Sequence, residues 1–481
     1  MKDDRGSLVP RKVVFLLVVA FVLAACGQKE GVYRGDLVGQ GGGGFVASPG
    51  ASPGATTGPG GVPGAPTGPG ATTGPGTPGG PGTVPVPAGG GDRTGITADT
   101  ITIGMHAPEN GAAPINAEVF DAGKDMYWKW LKDQGKKVFG RDVRVVNADD
   151  GYNPTQAVAV CNEMSRESFL LIGAAGTDQI NACASFASQR NIPYLSPGVQ
   201  EAGLNTRASY FAVTMTYRAQ MGPLVQMLRG ENQGNKFDRY PSGGNGAIKV
   251  GFVRPNTANF DDADAALADA VGKAGWEYKT YAVNKEGSSG DARTVAAQMQ
   301  QDGVDIAVPI TAPTFTVQLV AQTVTNQYKP QWAGVAISNN INQMIAQACR
   351  DNAFQGALFF SPWPGWQQVN AGQYDPDFRK AADKYASKYN TAGGGGDLLL
   401  ALWGIMKNIH QMFLAAGNDM SRESFIATMT GFRYNPSAFP TLQCAATNHF
   451  CAKDTFVLEG TCSSPPQWVT PNRYRSKRSS F

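Results

Sequence analysis

Residues 101–150 read ITIGMHAPENGAAPINAEVFDAGKDMYWKWLKDQGKKVFGRDVRVVNADD, and the fold turns on how this stretch divides. Ile101–Met105 is a short β-rich run. From Ala117 to Gln134 the apolar residues Val119, Phe120, Met126, Tyr127, Trp130 and Leu131 recur at helical spacing. DVRVVNADD (142–150) returns to strand character and ends on adjacent carboxylates, Asp149 and Asp150. Strand, helix, strand in this order is the βαβ unit of a parallel sheet.

Moving outward, NPTQAVAVCNEMSR (153–166) predicts a helix that Asn153 caps, with Pro154 in its first turn. FLLIGAAG (169–176) is a third strand, residues 179–190 a helix, and IPYLSPG (192–198) a fourth strand. The pattern restarts at AIKVGFVRP (247–255). It continues through a helix from Asp261 to Ala274, the strand WEYKTYAVN (276–284), a helix from Asp291 to Asp302 and the strand DIAVPIT (305–311). Two βαβαβ blocks in series predict an α/β protein of two doubly wound, Rossmann-like lobes. Ligands bind such sheets beyond the carboxyl ends of the strands, which places the expected site in a cleft between the lobes.

The amino terminus has a different character. Lys2, Arg5, Arg11 and Lys12 precede an apolar run, Val13–Ala25, of 13 residues. A hydrocarbon core needs about 20 residues, so the run reads as a secretory signal. No later stretch is expected to be long and apolar enough to span a membrane. From Gly35 to Gly91 the chain is nearly all Gly, Pro, Thr, Ala, Ser and Val, with GATTGPG at 54–60 and again at 70–76. Such a composition cannot bury a core, and a disordered tether is expected. Extended as polyproline II, its 57 residues would reach about 175 Å.

Net charge is +3, and the basic residues are dispersed apart from a tail at 471–481, so no nucleic-acid footprint is present. Besides Cys26 there are six cysteines, an even number in a chain with an export signal, which points to disulfides. Cys161–Cys183 would join two consecutive helices and Cys444–Cys451 would close a hairpin, which leaves Cys349–Cys462; other pairings stay open. No spacing of Cys and His suits zinc, and no metal or cofactor is expected. The three histidines, His106, His410 and His449, form no triad, and no GxSxG, HExxH or Walker loop occurs outside low complexity. His106, at a strand end, is the one placed to face the cleft. An enzyme is not expected.

Several stretches carry a resemblance. The run 101–164, together with LIGAAGTDQINACASFASQRNIPYLSPGVQ, YFAVTMTYRAQ, VGFVRPNTANF and GALFFSPWPGW, resembles type I periplasmic binding proteins, in the leucine/isoleucine/valine-binding branch of ABC-importer receptors. The resemblance covers most of 95–460. It implies a bilobal clamp with three crossovers that closes on a small-molecule solute and delivers it to an ABC permease, as a monomer. Leu23-Ala24-Ala25-Cys26 resembles a lipoprotein processing site, which implies a lipid on Cys26 that holds the chain on the extracytoplasmic face of a membrane. The implied organisation is a signal peptide at 1–25, the tether at 26–92, one lobe from 93–216 and 359–440, and the other from 217–358 and 441–470. Hinges are expected near Thr214–Tyr217 and Phe359–Pro362. A receptor that signals to a membrane partner without transport is the alternative.

The resemblance also nominates residues. Thr177, after the third strand, offers a hydroxyl. Gly198 and Gln200 lie after the fourth strand, and Asn116 stands where the family often has an aromatic. Phe260 matches an aromatic that covers the ligand, and Thr311 or Ala312 lies at the next strand end. The family's lobe-two acid, which receives an amino acid's ammonium, has no counterpart in QWAGVAISNN (331–340). Asp261, Asp262 or Asp178 would have to replace it, or the solute lacks an ammonium.

Overall fold

Strand β1 (Thr100–Ala107) is buried along nearly its whole length, as expected of a strand covered on both faces by helices. It lies between β2 (Asp142–Asp149) and β3 (Leu170–Gly173), and β4 (Tyr194–Ser196) and β5 (Tyr210–Ala212) complete a five-stranded parallel sheet in the order β2-β1-β3-β4-β5. The connecting helices are α1 (Ala117–Asp133), α2 (Pro154–Met164) and α3 (Thr177–Ser188). Asn153 caps α2 as expected, its side chain accepting from the Thr155 and Gln156 amides. The computed structural model describes residues 90–196, 202–230, 248–285, 287–335, 342–470 and 479–480. The leader, Cys26 and most of the tether and basic tail lie outside them.

After helix α4 (Tyr217–Leu228) the chain builds the second sheet. Strands β6 (Lys249–Pro255), β7 (Glu277–Val283), β8 (Ile306–Pro309), β9 (Gln331–Gly334) and β10 (Leu358–Ser361) run parallel. They are linked by helices α5 (Asp261–Lys273), α6 (Ser289–Asp302), α7 (Pro313–Thr325) and α8 (Asn342–Ala348). The chain then returns to the first lobe with α9 (Trp366–Asn370), α10 (Pro376–Tyr385), α11 (Gly396–Ala416), α12 (Arg422–Met429) and the small pair β11 (Arg433–Tyr434) and β12 (Leu442–Gln443). Antiparallel β13 (Asp454–Thr461), β14 (Gln467–Val469) and β15 (Ser479–Ser480) finish the second sheet, ordered β14-β13-β10-β9-β8-β6-β7 with β15 on β13.

Three details differ from expectation. Strand β10 pairs with β9 and β13, so the chain leaves the second lobe after Ser361 instead of before residue 359. Residues 442–452 belong with the first lobe, because their hairpin extends the edge of its sheet: the Ala212 amide donates to the His449 carbonyl and the Ala212 carbonyl accepts from the Cys451 amide, each at 2.8 Å, and Cys444, Cys451 and Ala452 join the first core. The three crossings therefore fall at 213–217, 361–363 and 452–457. The third difference is α11, which is by length and composition able to cross a membrane. Its residues from Leu399 to Phe413 are instead almost all buried in the first core, where it packs against α1.

The three disulfides are Cys161–Cys183, Cys349–Cys462 and Cys444–Cys451, with Cα separations of 6.2, 5.3 and 4.3 Å. The first ties α2 to α3, and the last closes the hairpin.

Candidate functional site

The carboxyl ends of both sheets face each other, and side chains meet across the gap at the start of α3. This helix has Gly176 as its N-cap, with φ of 87° and no side chain to satisfy the first-turn amides. Free N–H groups at such a terminus favour an anionic or acceptor group. Thr177 is the first helical residue, half-buried, and its hydroxyl makes no hydrogen bond among the described residues. Asp178 follows, and both of its oxygens are taken by the other lobe: Asn259 Nδ2 donates to one at 2.5 Å and Lys285 Nζ sits 2.7 Å from the other. Lys285 also lies 4.4 Å from the centroid of the Tyr152 ring.

On the second lobe, Phe260 ends a short 3-10 turn (Ala258–Phe260) that runs into α5. It is buried and stacks on Tyr217, with ring centroids 5.9 Å apart. Burial, and then the nearby Tyr152, push the Tyr217 hydroxyl far above its ordinary pKa, which keeps it a neutral donor. Phe260 is thus part of the second lobe's core as well as the neighbour of a residue that touches the first lobe.

The other nominated residues sit as follows. Asn116 is the N-cap of α1, exposed, its Oδ1 accepting from the Val119 amide at 3.2 Å. Thr311 and Ala312 are both buried where β8 passes into α7, and the Thr311 hydroxyl is bonded to that of Thr316 at 2.9 Å. Gly198 and Gln200 lie outside the described residues, as does most of the segment after β9 where the family acid is missing. Of the substitute acids, Asp261 is exposed and paired with Arg254 at 3.0 Å, and Asp262 is exposed beside Arg218 at 3.9 Å.

His106 does not face the cleft. It is fully buried beneath β3, with Nδ1 2.7 Å from Asp150 Oδ2 and Nε2 2.7 Å from the Tyr194 hydroxyl. The reason is Gly173: with no side chain there, the Tyr194 ring and the imidazole fill the space. His106 also lies beside the Cys161–Cys183 sulfurs, all within 4.8 Å, but both sulfurs are spent in a disulfide and leave no thiolate for a metal. His410 bonds Tyr127 at 2.7 Å, and His449 bonds the Arg207 carbonyl at 2.8 Å.

Tyr152, Asn259 and Lys285 were missed in the sequence. All three follow strand carboxyl ends, in DDGYNP, NTANF and VNKEG, where ligands of such sheets are expected. What the sequence lacked was the pairing across the lobes that distinguishes them from other loop residues.

A family model described as periplasmic binding protein matches residues 100–463. No curated protein matches. Among solved structures, the chain is similar to the fatty acid ABC transporter substrate-binding protein from Thermomonospora curvata, at 16% identity and TM-score 0.64, covering 80% of this chain and 96% of that one. It is similar to a solute binding protein of an ABC transporter from Rhodopseudomonas palustris BisB5 in complex with 3,4-dihydroxybenzoic acid, at 13% identity and TM-score 0.62, covering 79% and 98%. A leucine binding protein from Thermotoga maritima is similar at 13% identity and TM-score 0.60, covering 77% and 99%. At these identities the likeness to solved structures is one of fold.

Proposed function

We propose, since this chain belongs to the periplasmic binding protein family, that it is the solute receptor of an ABC importer, tethered to the outer face of a membrane through a lipid on Cys26. Its role is capture and delivery, with no chemical step. The solute is a small molecule that offers an anionic or hydrogen-bond-accepting group and has no ammonium. One observation carries this: each acid that would replace the missing lobe-two carboxylate already has a basic side chain beside it, Asp178 with Lys285, Asp261 with Arg254 and Asp262 with Arg218. A buried ammonium left without a partner costs several kcal/mol. The uncapped first turn of α3, beside the open hydroxyl of Thr177, has the opposite preference and suits a carboxylate or an amide oxygen. Two of the structures similar in fold, those for a fatty acid and for dihydroxybenzoic acid, concern solutes of this kind.

In this reading the solute docks first on the lobe that carries Thr177, Gly198 and Gln200. The second lobe, with Phe260 and the loop at Thr311 and Ala312, then swings over it. The hinge is the place where the three crossings meet, lined by Thr214, Met215, Pro362, Pro440 and Asp454. There the Thr455 hydroxyl bonds the Ser361 carbonyl at 2.8 Å, and Asp454 accepts from both the amide and the hydroxyl of Thr441. A permease would recognise the closed form.

Thermal unfolding against a solute library tests the proposal. Aliphatic and aromatic carboxylic acids, amides, branched-chain and polar amino acids, and sugars are compared. A ligand at 100 times its Kd adds about 2.7 kcal/mol of stability. A hit among acids or amides without an ammonium is expected. A hit confined to zwitterionic amino acids overturns the solute class, and no hit with ligand-stripped protein overturns the receptor reading.

A further inference from the structure

The cluster that joins the lobes has a second feature, which lies behind it in the first lobe. Tyr152 adopts φ of 56°, an uncommon conformation for a bulky side chain. Its amide donates to Asp150 Oδ1 at 3.0 Å. The other oxygen of Asp150 meets His106, and His106 meets Tyr194, in a chain whose three side chains are fully buried. Burial raises the Tyr194 hydroxyl well above its ordinary pKa, so that it stays protonated. The chain of buried hydrogen bonds fixes the loop that carries the Tyr152 ring.

We propose that Lys285 is a closing latch of the clamp, and that Tyr152 and Asp178 are its seat on the first lobe. The inference rests on the clamp reading but not on the solute class. Lys285 approaches from the loop after β7, and its ammonium has an aromatic face at 4.4 Å and a carboxylate at 2.7 Å. The side chains of Lys285 and Asp178 are only 22% and 23% exposed, so the pair is less screened than a surface ion pair. Asn259 holds the second oxygen of the same carboxylate. Each of these contacts crosses from one lobe to the other and exists only when the lobes are together. Their free energy therefore enters the open–closed equilibrium and leaves the stability of either lobe untouched. Asp150, His106 and Tyr194 act as positioning residues, through Tyr152. The latch raises the fraction of closed receptor and with it the apparent affinity for any solute the clamp accepts.

Small-angle X-ray scattering of the ligand-free chain, fitted as a mixture of open and closed forms, tests this. Lys285→Met, which keeps the length of the side chain, should lower the closed-to-open ratio about five- to tenfold at an unchanged thermal midpoint. Asp178→Asn and Tyr152→Leu should each shift it in the same direction. The double variant Lys285→Met/Asp178→Asn should go little further than either single one, because both remove one interaction. His106→Gln should act in the same direction, and its thermal midpoint separates loss of position from loss of fold. The proposal is overturned if Lys285→Met leaves the scattering unchanged, or if the two substitutions add in full. Neither outcome bears on the solute screen, which reads ligand class instead of lobe position.

Discussion

Gln179 shows what a single residue can reveal. It sits in the first turn of α3, fully buried, and among the described residues neither its amide nitrogen nor its amide oxygen has a hydrogen-bond partner. An unsatisfied buried polar group costs about 1–3 kcal/mol, whereas an apolar side chain of the same shape carries no such penalty. Gln179→Met should therefore raise the midpoint of thermal unfolding by a few degrees. A lower midpoint would mean that the amide has a partner in solution. Thr177, two residues earlier, gives the complementary test. Its hydroxyl makes no hydrogen bond among the described residues, so on the proposed site Thr177→Val should weaken solute binding about tenfold, by isothermal titration, and leave the unfolding midpoint within error.

At the scale of elements, the contact of α1 with α11 carries a titration. His410 of α11 accepts or donates to the Tyr127 hydroxyl of α1, and burial, helped by Lys136, lowers its pKa to about 4. In the unfolded chain the same group titrates near 6.5. The neutral imidazole is thus favoured by the fold, and its contribution is complete above pH 6.5 and is lost as pH falls toward 4. His410→Gln should flatten urea-derived stability across that window, and an unaltered slope would contradict the assignment. The disulfides give a ranking. They close loops of 113, 22 and 7 residues, for Cys349–Cys462, Cys161–Cys183 and Cys444–Cys451. Chain entropy alone assigns these about 5, 3 and 2 kcal/mol. Replacing each pair by alanine should destabilise the chain in that order, by denaturant titration.

For the whole molecule, the three crossings decide how the lobes can move. All three pass through one small region, where Asp454 and Thr455 fasten β13 to Thr441 and Ser361. In the proposed clamp, motion would be a rotation about that region, because each lobe has its own core and neither must unpack. A saturating solute should accordingly reduce the radius of gyration without altering the circular dichroism spectrum. A solute that binds with no change in scattering would argue against closure.

The order of strands and helices was legible in the sequence because each element carries its own signal: the 3.6-residue spacing of 117–134, the Asn153-Pro154 start of α2 and the β-rich runs at 101–105 and 247–255. An even cysteine count pointed to disulfides and consecutive helices nominated Cys161–Cys183, but the other two pairings stayed open until the tertiary structure set them. The candidate site was legible only in part. The resemblance nominated Thr177 and Phe260, while burial holds His106 in the core against Tyr194 and Thr311 against Thr316 at the start of α7. Hydropathy could not say whether α11 belonged in a membrane or a core, since both are apolar, and only its neighbours decide. Lys285 and Asp178 are 107 residues apart, one in a loop and one in the first turn of a helix, and their pairing is invisible until the lobes meet. Local patterning determines elements, whereas partners across the cleft are set by long-range packing that no periodicity records.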